Sequence, residues 1–350
     1  FYHLDQPIRW NENDPVERWL FETFLLNTEI ETPPLTVLPP NKLELIDKQQ
    51  LVVQPDLLRS CFALLVNAHY QTSPNDLMLL LEDDAIQLYA AFSEQYCLGC
   101  MLTIKEGELE EPLIKSIQQG QRRPRGHLVP VMLANHLGLT QAASQPSLRV
   151  MRIATHPDYQ QQGLGSAMLE QLTQLSGSQF MSTSFGATSE LIRFWRKNGF
   201  VPVKLGVQRD QASGCHSVVM VKGSFDWISV AEQHFHQSMR YLFGDVFADI
   251  ETDIVRNLLR KEDASVAECE FERLVRNYSL GGAGFESVAP FIANWVLSSN
   301  KAIIGCSSLV IRKVLQQRSW QACSEEFGFT GKKQTEQQLR TDIQALLDIV

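Results

Sequence analysis

The pattern of apolar and polar residues divides the chain into three parts. Between about residues 46 and 222, apolar residues spaced three or four apart alternate with short apolar runs, which are typical of helices and strands respectively. From Phe225 onward only the helical spacing remains. The pattern therefore predicts a mixed α/β domain followed by an all-helical C-terminal domain.

The first 45 residues form a smaller piece that cannot close a core alone. A helix is predicted from about Pro15 to Leu26, because Asp14 is a capping residue and proline favours the first helical turn. The segment Thr32–Lys42 contains four prolines and predicts an exposed connection. We place a domain boundary there.

The remaining elements are predicted from the spacing of apolar residues and from the residues that favour helix ends and turns. In the α/β domain, helices are predicted from Pro55 and Pro74 and over 190–199, the last capped by Thr188 or Ser189. Strands are predicted over 85–92, 96–104, 180–185, 201–207 and 217–222. In the C-terminal domain, helices are predicted over 228–247, 250–260, 265–277, 288–297, 307–317 and 335–350.

The stretch Arg152–Leu175 joins a strand end to a helix through a loop that contains Gly163 and Gly165. The helix presents an apolar face formed by Leu164, Met168, Leu172 and Leu175. Free amides at a helix start favour an anion such as a pyrophosphate. The alternative is that the two glycines only form a tight turn. The spacing Q-x-x-G-x-G lacks the Lys-Ser/Thr of a P-loop and the third glycine of a dinucleotide fingerprint.

Composition narrows the class of protein. The chain has 350 residues, of which 44% are hydrophobic and 20% charged, and it has no apolar run approaching the roughly 18–20 residues of a membrane span. Its seven scattered cysteines suit a reducing cytoplasm. The net charge of -9 argues against coating nucleic acid through bulk charge. Because the chain starts at Phe1, we expect it to be part of a longer protein.

Five ordered runs together resemble the acetyltransferase module of the tRNA(Met) cytidine acetyltransferase family, a branch of the GNAT superfamily. They are AHYQTSPNDL (68–77), RRPRGHLVP (122–130), RIATHPDYQQQGLGS (152–166), SFGATSELIRFWRKNGFVPV (184–203) and SGCHSVVM (213–220). HLDQPIRW near the start and TGKKQTEQQLR (330–340) resemble the end of the family's helicase-like ATPase domain and its C-terminal tail.

The resemblance implies the fold, the reaction and the domain limits. It implies a GNAT-type mixed β-sheet flanked by helices at 46–222, preceded by the end of a helicase-like domain and a linker at 1–45, and followed by a helical tail at 223–350. The implied reaction is acetyl transfer from acetyl-CoA to the exocyclic amine of cytidine, at the wobble position of elongator tRNA(Met), in the cytoplasm. ATP would be used only by the upstream domain. The alternatives are a GNAT enzyme acting on a protein or small-molecule amine, and a module that only senses acetyl-CoA.

The resemblance also implies the coenzyme-binding residues. The strand residues would pair with the pantetheine arm, the loop would hold the pyrophosphate, and two helix residues would contact the coenzyme. They are Ile153, Ala154 and Thr155; Gln160, Gln161, Gln162, Gly163, Leu164, Gly165 and Ser166; and Glu190 and Lys197. Lys197 takes a position that can hold an arginine and could equally be a solvated charge.

The cytidine amine is conjugated with its ring and barely basic, so the reaction needs a polarised thioester carbonyl and a route for the departing proton. Histidine suits that route at neutral pH. His69 is the leading candidate, with His127, His156 and His216 behind it; the alternative for His69 is a histidine partnered between helices.

Arg122, Arg123, Arg125 and His127 form the candidate RNA contact, since basic side chains meet phosphates; the alternative is a solvated loop. The pair Cys97 and Cys100 predicts core packing, and no metal site is suggested.

Overall fold

The computed structural model describes residues 11, 13–25, 28–34, 36–40, 42–67, 74–177, 179–260 and 272–349. The chain forms two compact units, residues 1–183 and 184–350. The division falls inside a strand, so the predicted limits at 45/46 and 222/223 stay predictions.

The strands of the first unit form a mixed sheet. They are β1 (Glu44–Ile46), β2 (Ile86–Ser93), β3 (Tyr96–Gly107), β4 (Pro146–Thr155) and β5 (Phe180–Gly186), the last of which runs on into the second unit. Strands β1 to β4 pair antiparallel in chain order, and β4 then pairs parallel with β5. Together with the flanking helices this confirms the predicted mixed sheet.

The helices of the first unit cover the sheet and join its strands. They are α1 (Pro15–Thr23), α2 (Lys48–Val53), α3 (Pro55–Asn67), α4 (Pro74–Glu82), α5 (Glu111–Gln118), α6 (Leu128–His136), α7 (Thr140–Ser144) and α8 (Leu164–Ser176), with a 3₁₀ turn at Pro157–Tyr159.

The main core of the first unit lies between helices α2 to α4 and strands β2 and β3. Cys97 and Cys100 belong to it, as predicted, and Cys61 on α3 brings its Sγ to 3.9 Å from that of Cys97. Burial raises the pKa of the Cys100 thiol, so this side chain packs as a neutral apolar group.

The second unit holds a hairpin and the helical tail. The hairpin strands are β6 (Val201–Arg209) and β7 (His216–Lys222), antiparallel to each other, with β7 next to β5 and β6 at the edge. The helices are α9 (Ser189–Lys197), α10 (Asp226–Leu242), α11 (Thr252–Leu259), α12 (Glu272–Ser279), α13 (Phe285–Ser298), α14 (Asn300–Gly305), α15 (Ser308–Val310), α16 (Trp320–Phe327) and α17 (Lys332–Ile349), with a π-helix at Ile311–Leu315. The predicted helical tail is confirmed.

Several expected details of the helices are wrong. Helix α1 ends at Thr23 rather than Leu26, although Asp14 caps it as expected by accepting from the amides of Val16 and Glu17. Leu175 was assigned to the apolar face of α8 but is 59% exposed. Helices α14 and α16 were not expected, and part of 307–317 is a π-helix.

Most of the described residues of the proline-rich segment are exposed, as its composition predicts, but two of them are buried. Pro33 and Val37 are buried, and Leu43 beyond it is 3% exposed. The Val37 carbonyl accepts from the Tyr159 hydroxyl, 122 positions later in the sequence, a contact that a local composition argument does not detect.

Candidate coenzyme site

Strand β4 contains one extra residue relative to β3, and it extends beyond the part that pairs with its parallel partner β5. Against β3, Leu102 pairs with Arg152 and Thr103 with Val150, so Met151 forms a β-bulge. The described pairing with β5 covers only Ser147–Val150, while the pairing with β3 continues to Thr155. The last part of β4 thus has one edge paired with β3 and one edge available for an extended ligand.

The loop that follows β4 is shaped by local hydrogen bonds. His156 begins the 3₁₀ turn by accepting from the amide of Asp158 through Nδ1 at 3.2 Å. Gln162 Nε2 then donates to the carbonyl of Asp158 at 2.7 Å. Gln161 and Gly163 have left-handed backbone conformations, with φ of 59° and 87°, and residues 160–163 are exposed.

Helix α8 starts without a capping side chain. Its N-cap is Gly163, and a Cβ placed on Gly163 would meet no protein atom within 4 Å. The N-cap position is therefore open and lies in an exposed loop, and a helix start without a capping side chain favours an anion. The predicted pyrophosphate loop, Gln160–Ser166, includes this helix start.

Close packing fixes α8 on the sheet. Gly99 on β3 lies under Met168, and a Cβ at Gly99 would come within 2.5 Å of the Met168 Sδ. Leu164, Met168 and Leu172 are buried. Because no side chain separates β3 from α8 at Gly99, the start of the helix is held at a fixed place beyond the end of β4.

Helix α9 in the second unit carries the two other predicted coenzyme residues. Thr188 caps it by accepting from the Leu191 amide at 3.3 Å, as predicted. Glu190 and Lys197 are exposed and, being seven residues apart, share one face. The neighbouring Arg196 is buried and donates to the Leu258 carbonyl at 2.6 Å, so Arg196 anchors the helix while Lys197 faces solvent.

A buried carboxylate fixes the end of the basic loop, residues 121–127. Glu106 accepts from the amides of Leu128 and Val129, both at 3.1 Å, and from Arg149 Nε at 2.7 Å. His127 Nδ1 accepts from the Gly107 amide at 3.0 Å. These bonds fix the end of the loop and leave Arg122, Arg123 and Arg125 exposed.

The sequence matches two family models. The GNAT acetyltransferase 2 model matches residues 60–182 and 173–224. The helicase-domain model of RNA cytidine acetyltransferase NAT10/TcmA matches residues 1–27.

Three relatives are similar over nearly the whole chain. The tRNA(Met) cytidine acetyltransferase TmcA of Vibrio cholerae is 45% identical over 347 residues, which is 99% of this chain and 49% of the relative. The enzymes of the same name from Nitrosococcus halophilus and Haloarcula marismortui are 31% and 32% identical over 98% and 95% of this chain, and 49% and 45% of the relatives. The chain belongs to the tRNA(Met) cytidine acetyltransferase family. It spans about half the length of the curated relatives it matches.

For this member of the cytidine acetyltransferase family, the structure places most predicted coenzyme residues together. Ile153, Ala154 and Thr155 lie on the free-edged end of β4, and Gln160–Ser166 follows directly. Glu190 and Lys197 lie on α9. Their roles toward the coenzyme stay predictions.

The histidine candidates differ in what they contact. His69 lies outside the described residues. His156 is 3% exposed and bound on both ring nitrogens, with Nε2 at 3.1 Å from the Glu31 carbonyl. His216 is 6% exposed, with Nδ1 at 2.8 Å from the Gly206 carbonyl. His156, His127 and His216 therefore have structural partners.

Sequence reasoning missed the bulge at Met151, the buried Glu106 and the close contact at Gly99. Glu106 carries the one usable signal, because a carboxylate inside an apolar strand run needs a buried partner. The other two depend on neighbouring elements. Among the described residues, no group of three His, Cys, Asp or Glu side chains is arranged to hold a metal ion, and no helix is long and apolar enough to cross a membrane.

Proposed function

We propose that the chain carries the acetyl-transfer step of a tRNA cytidine acetyltransferase, which moves an acetyl group from acetyl-CoA to the exocyclic amine of cytidine in tRNA. The acceptor proposed is the wobble cytidine of elongator tRNA(Met), and a cytoplasmic location belongs to the same proposal. The observation that carries the proposal is the uncapped start of α8 beyond the free-edged end of β4, in a chain of this family.

Acetyl-CoA would supply the activated acetyl group as a thioester. The chain's own contribution is positioning: first-turn amides of α8 bind the pyrophosphate, and the open edge of Ile153–Thr155 aligns the pantetheine arm. Backbone amides at that edge then face the thioester carbonyl and stabilise the negative charge that develops on its oxygen.

As the amine forms the new N–C bond, the thioester C–S bond would break and CoA would leave as a thiolate, while the amine loses a proton that needs an acceptor near neutral pH. Because His127, His156 and His216 have backbone partners, His69 remains the leading candidate for this role. Helix α3 before it packs on β3, and α4 after it is held to β4 by a 3.1 Å ion pair between Asp76 and Arg152.

The exposed Arg122, Arg123 and Arg125 would meet RNA phosphates, which orient a nucleic acid without reading its sequence. Their loop has fixed ends at Ser116, whose carbonyl accepts from the Gln121 amide at 2.9 Å, and at His127. A loop with fixed ends loses less conformational freedom when it binds than a loop with free ends.

The reaction is tested with radiolabelled acetyl-CoA and elongator tRNA(Met), in the protein with a family helicase-like domain joined upstream. We expect the label in acetylcytidine. Label that stays out of RNA and enters protein or a polyamine would contradict the proposal and favour the other GNAT reaction. Coenzyme binding without transfer to any acceptor would favour a sensor.

The pyrophosphate site is tested by calorimetry with Gly163→Gln and Gly163→Glu. Both variants share side-chain size and backbone strain at a φ of 87°, but only glutamate repels an anion. We expect acetyl-CoA to bind Gly163→Glu about tenfold more weakly than Gly163→Gln.

Gly177→Glu is the matched control for that experiment. Gly177 has a φ of 65°, also meets nothing within 4 Å, and lies at the other end of α8, about 20 Å away. Its affinity should equal that of the wild type. Equal affinities of the two Gly163 variants would show that the loop does not hold the pyrophosphate.

A further inference from the structure

The segment before the sheet is fastened to both sides of the coenzyme loop. We call its described residues 28–34, 36–40 and 42–43 the strap. The Glu31 carbonyl lies 3.1 Å from His156 Nε2, and the Val37 carbonyl accepts from the Tyr159 hydroxyl at 2.7 Å. The Leu43 amide donates to Gln171 Oε1 on α8 at 2.7 Å. Two of these contacts precede the loop and one follows it.

The contacts are buried where they meet the loop. His156 and Tyr159 are 3% and 8% exposed, and their rings meet edge to face with centroids 5.8 Å apart. Since His156 Nδ1 accepts from the Asp158 amide, the neutral ring carries its proton on Nε2 and donates it to Glu31. The Val37 carbonyl is buried, and a buried carbonyl that loses its donor is costly, so strap and loop stabilise each other.

The loop needs such support because of its backbone. Gln161 is a non-glycine residue at a φ of 59°, a conformation that is uncommon for such residues and persists where the surroundings hold it. The loop residues 160–163 are exposed, and among the described residues the side chains of Gln160 and Gln162 bond only to carbonyls just before them in the chain, at Thr155 and Asp158. The strap contacts at His156 and Tyr159 lie immediately before residues 160–163.

We propose that His156, Tyr159 and Gln171 are positioning residues for acetyl-CoA: by binding the strap, they hold the coenzyme loop in its binding conformation before the coenzyme arrives. The inference rests on the proposed function, since it assumes that the loop takes acetyl-CoA. A loop held in advance loses less conformational freedom on binding, so the affinity depends on the strap contacts. By the same linkage, bound coenzyme should slow amide hydrogen exchange in the loop.

The test is Tyr159→Phe in the full 350-residue chain, which removes one hydroxyl and keeps the ring. We expect the Kd for acetyl-CoA to rise about five- to tenfold. Amide hydrogen exchange at residues 160–166 should become faster without coenzyme and return to the wild-type rate at saturating coenzyme. Gln171→Met, which removes the acceptor of the Leu43 amide, should have the same two effects.

Tyr241→Phe is the matched control, because Tyr241 is 75% exposed in the tail, and it should match the wild type. If Tyr159→Phe and Gln171→Met lower only the melting temperature, with unchanged Kd and unchanged loop exchange, the strap is merely structural and the inference is overturned. In that case the Gly163 variants still report on the proposed function. A wild-type chain that does not bind acetyl-CoA would overturn both.

Discussion

Glu106 shows how one residue on a strand sets the position of a distant loop. Its side chain is fully buried, whereas that of Arg149 is 14% exposed, and its two oxygens accept from two amides and one guanidinium. The carboxylate therefore accepts from two amides in the first turn of α6 and also neutralises the charge of Arg149. The basic loop ends where α6 begins.

The first prediction concerns this buried pair. Glu106→Gln removes the charge, leaves Arg149 without its counter-ion and replaces one acceptor oxygen with a donor. We expect the free energy of unfolding to fall by about 2–4 kcal/mol, measured by urea denaturation. Glu272→Gln is the control, because the Glu272–Arg276 pair is 55% and 39% exposed, and it should cost less than about 0.5 kcal/mol. Similar losses in the two variants would show that burial of Glu106 does not matter.

At the scale of elements, the site depends on how β4 and α8 diverge. The bulge at Met151 and the end of pairing at Val150 free the end of β4 from β5. Helix α8 meanwhile returns across β3 at Gly99. The loop between β4 and α8 thus connects an edge that can pair with a ligand to a helix start that can bind an anion.

The second prediction concerns the contact between α8 and β3. In Gly99→Ala the new methyl group would come within 2.5 Å of the Met168 Sδ, and Met168 is 1% exposed, so we expect a loss of about 1–3 kcal/mol of stability. Met168→Ala alone should cost about 2–5 kcal/mol through the cavity it leaves. In the double variant the methyl group partly fills that cavity.

A double-mutant cycle by urea denaturation measures this coupling. The double variant should be more stable than the sum of the single losses indicates, by about 1 kcal/mol or more. Strict additivity would mean that Gly99 is not selected by the contact with Met168.

The sequence predicted elements where the signal was local. Asp14, Thr188 and the spacing in Gln160–Gly165 mark helix starts that the structure confirms. It failed where the deciding partner is remote. The strap contacts join residues 122 to 128 positions apart, so the composition of the segment gave no sign that Val37 is buried.

The same distinction holds within the site. The glycine loop could be predicted because the backbone conformation itself requires glycine at position 163. The bulge at Met151 could not, because it exists only relative to the register of β3. The exposed Leu175 was misassigned because a helical period alone does not show where the supporting surface ends.

At the scale of the whole molecule, charge decides how RNA would be met. The chain has a net charge of -9 and a pI near 5.4, so the average electrostatic field repels phosphates at neutral pH. An RNA contact must therefore come from a local concentration of positive charge. Arg122, Arg123 and Arg125 provide three exposed guanidinium groups within four positions.

The last prediction separates this local charge from net charge. Arg123→Gln with Arg125→Gln and, as a control, Arg18→Gln with Arg59→Gln each remove two exposed positive charges, so each pair changes the net charge from -9 to -11. We expect the first pair to weaken binding of elongator tRNA(Met) about ten- to a hundredfold at low salt. Its slope of log affinity against log salt concentration should also become less negative by about 1–2, because two phosphate contacts are lost.

The control pair should leave both quantities near the wild-type values, as measured by filter binding across a salt series. Acetyl-CoA binding, followed by calorimetry in the same samples, should not change in either pair, since the altered arginines are not among the predicted coenzyme residues. Equal losses of tRNA affinity in the two pairs would mean that overall charge, rather than the basic loop, governs the encounter with RNA. An unchanged affinity in the first pair would place the phosphate contacts elsewhere on the chain.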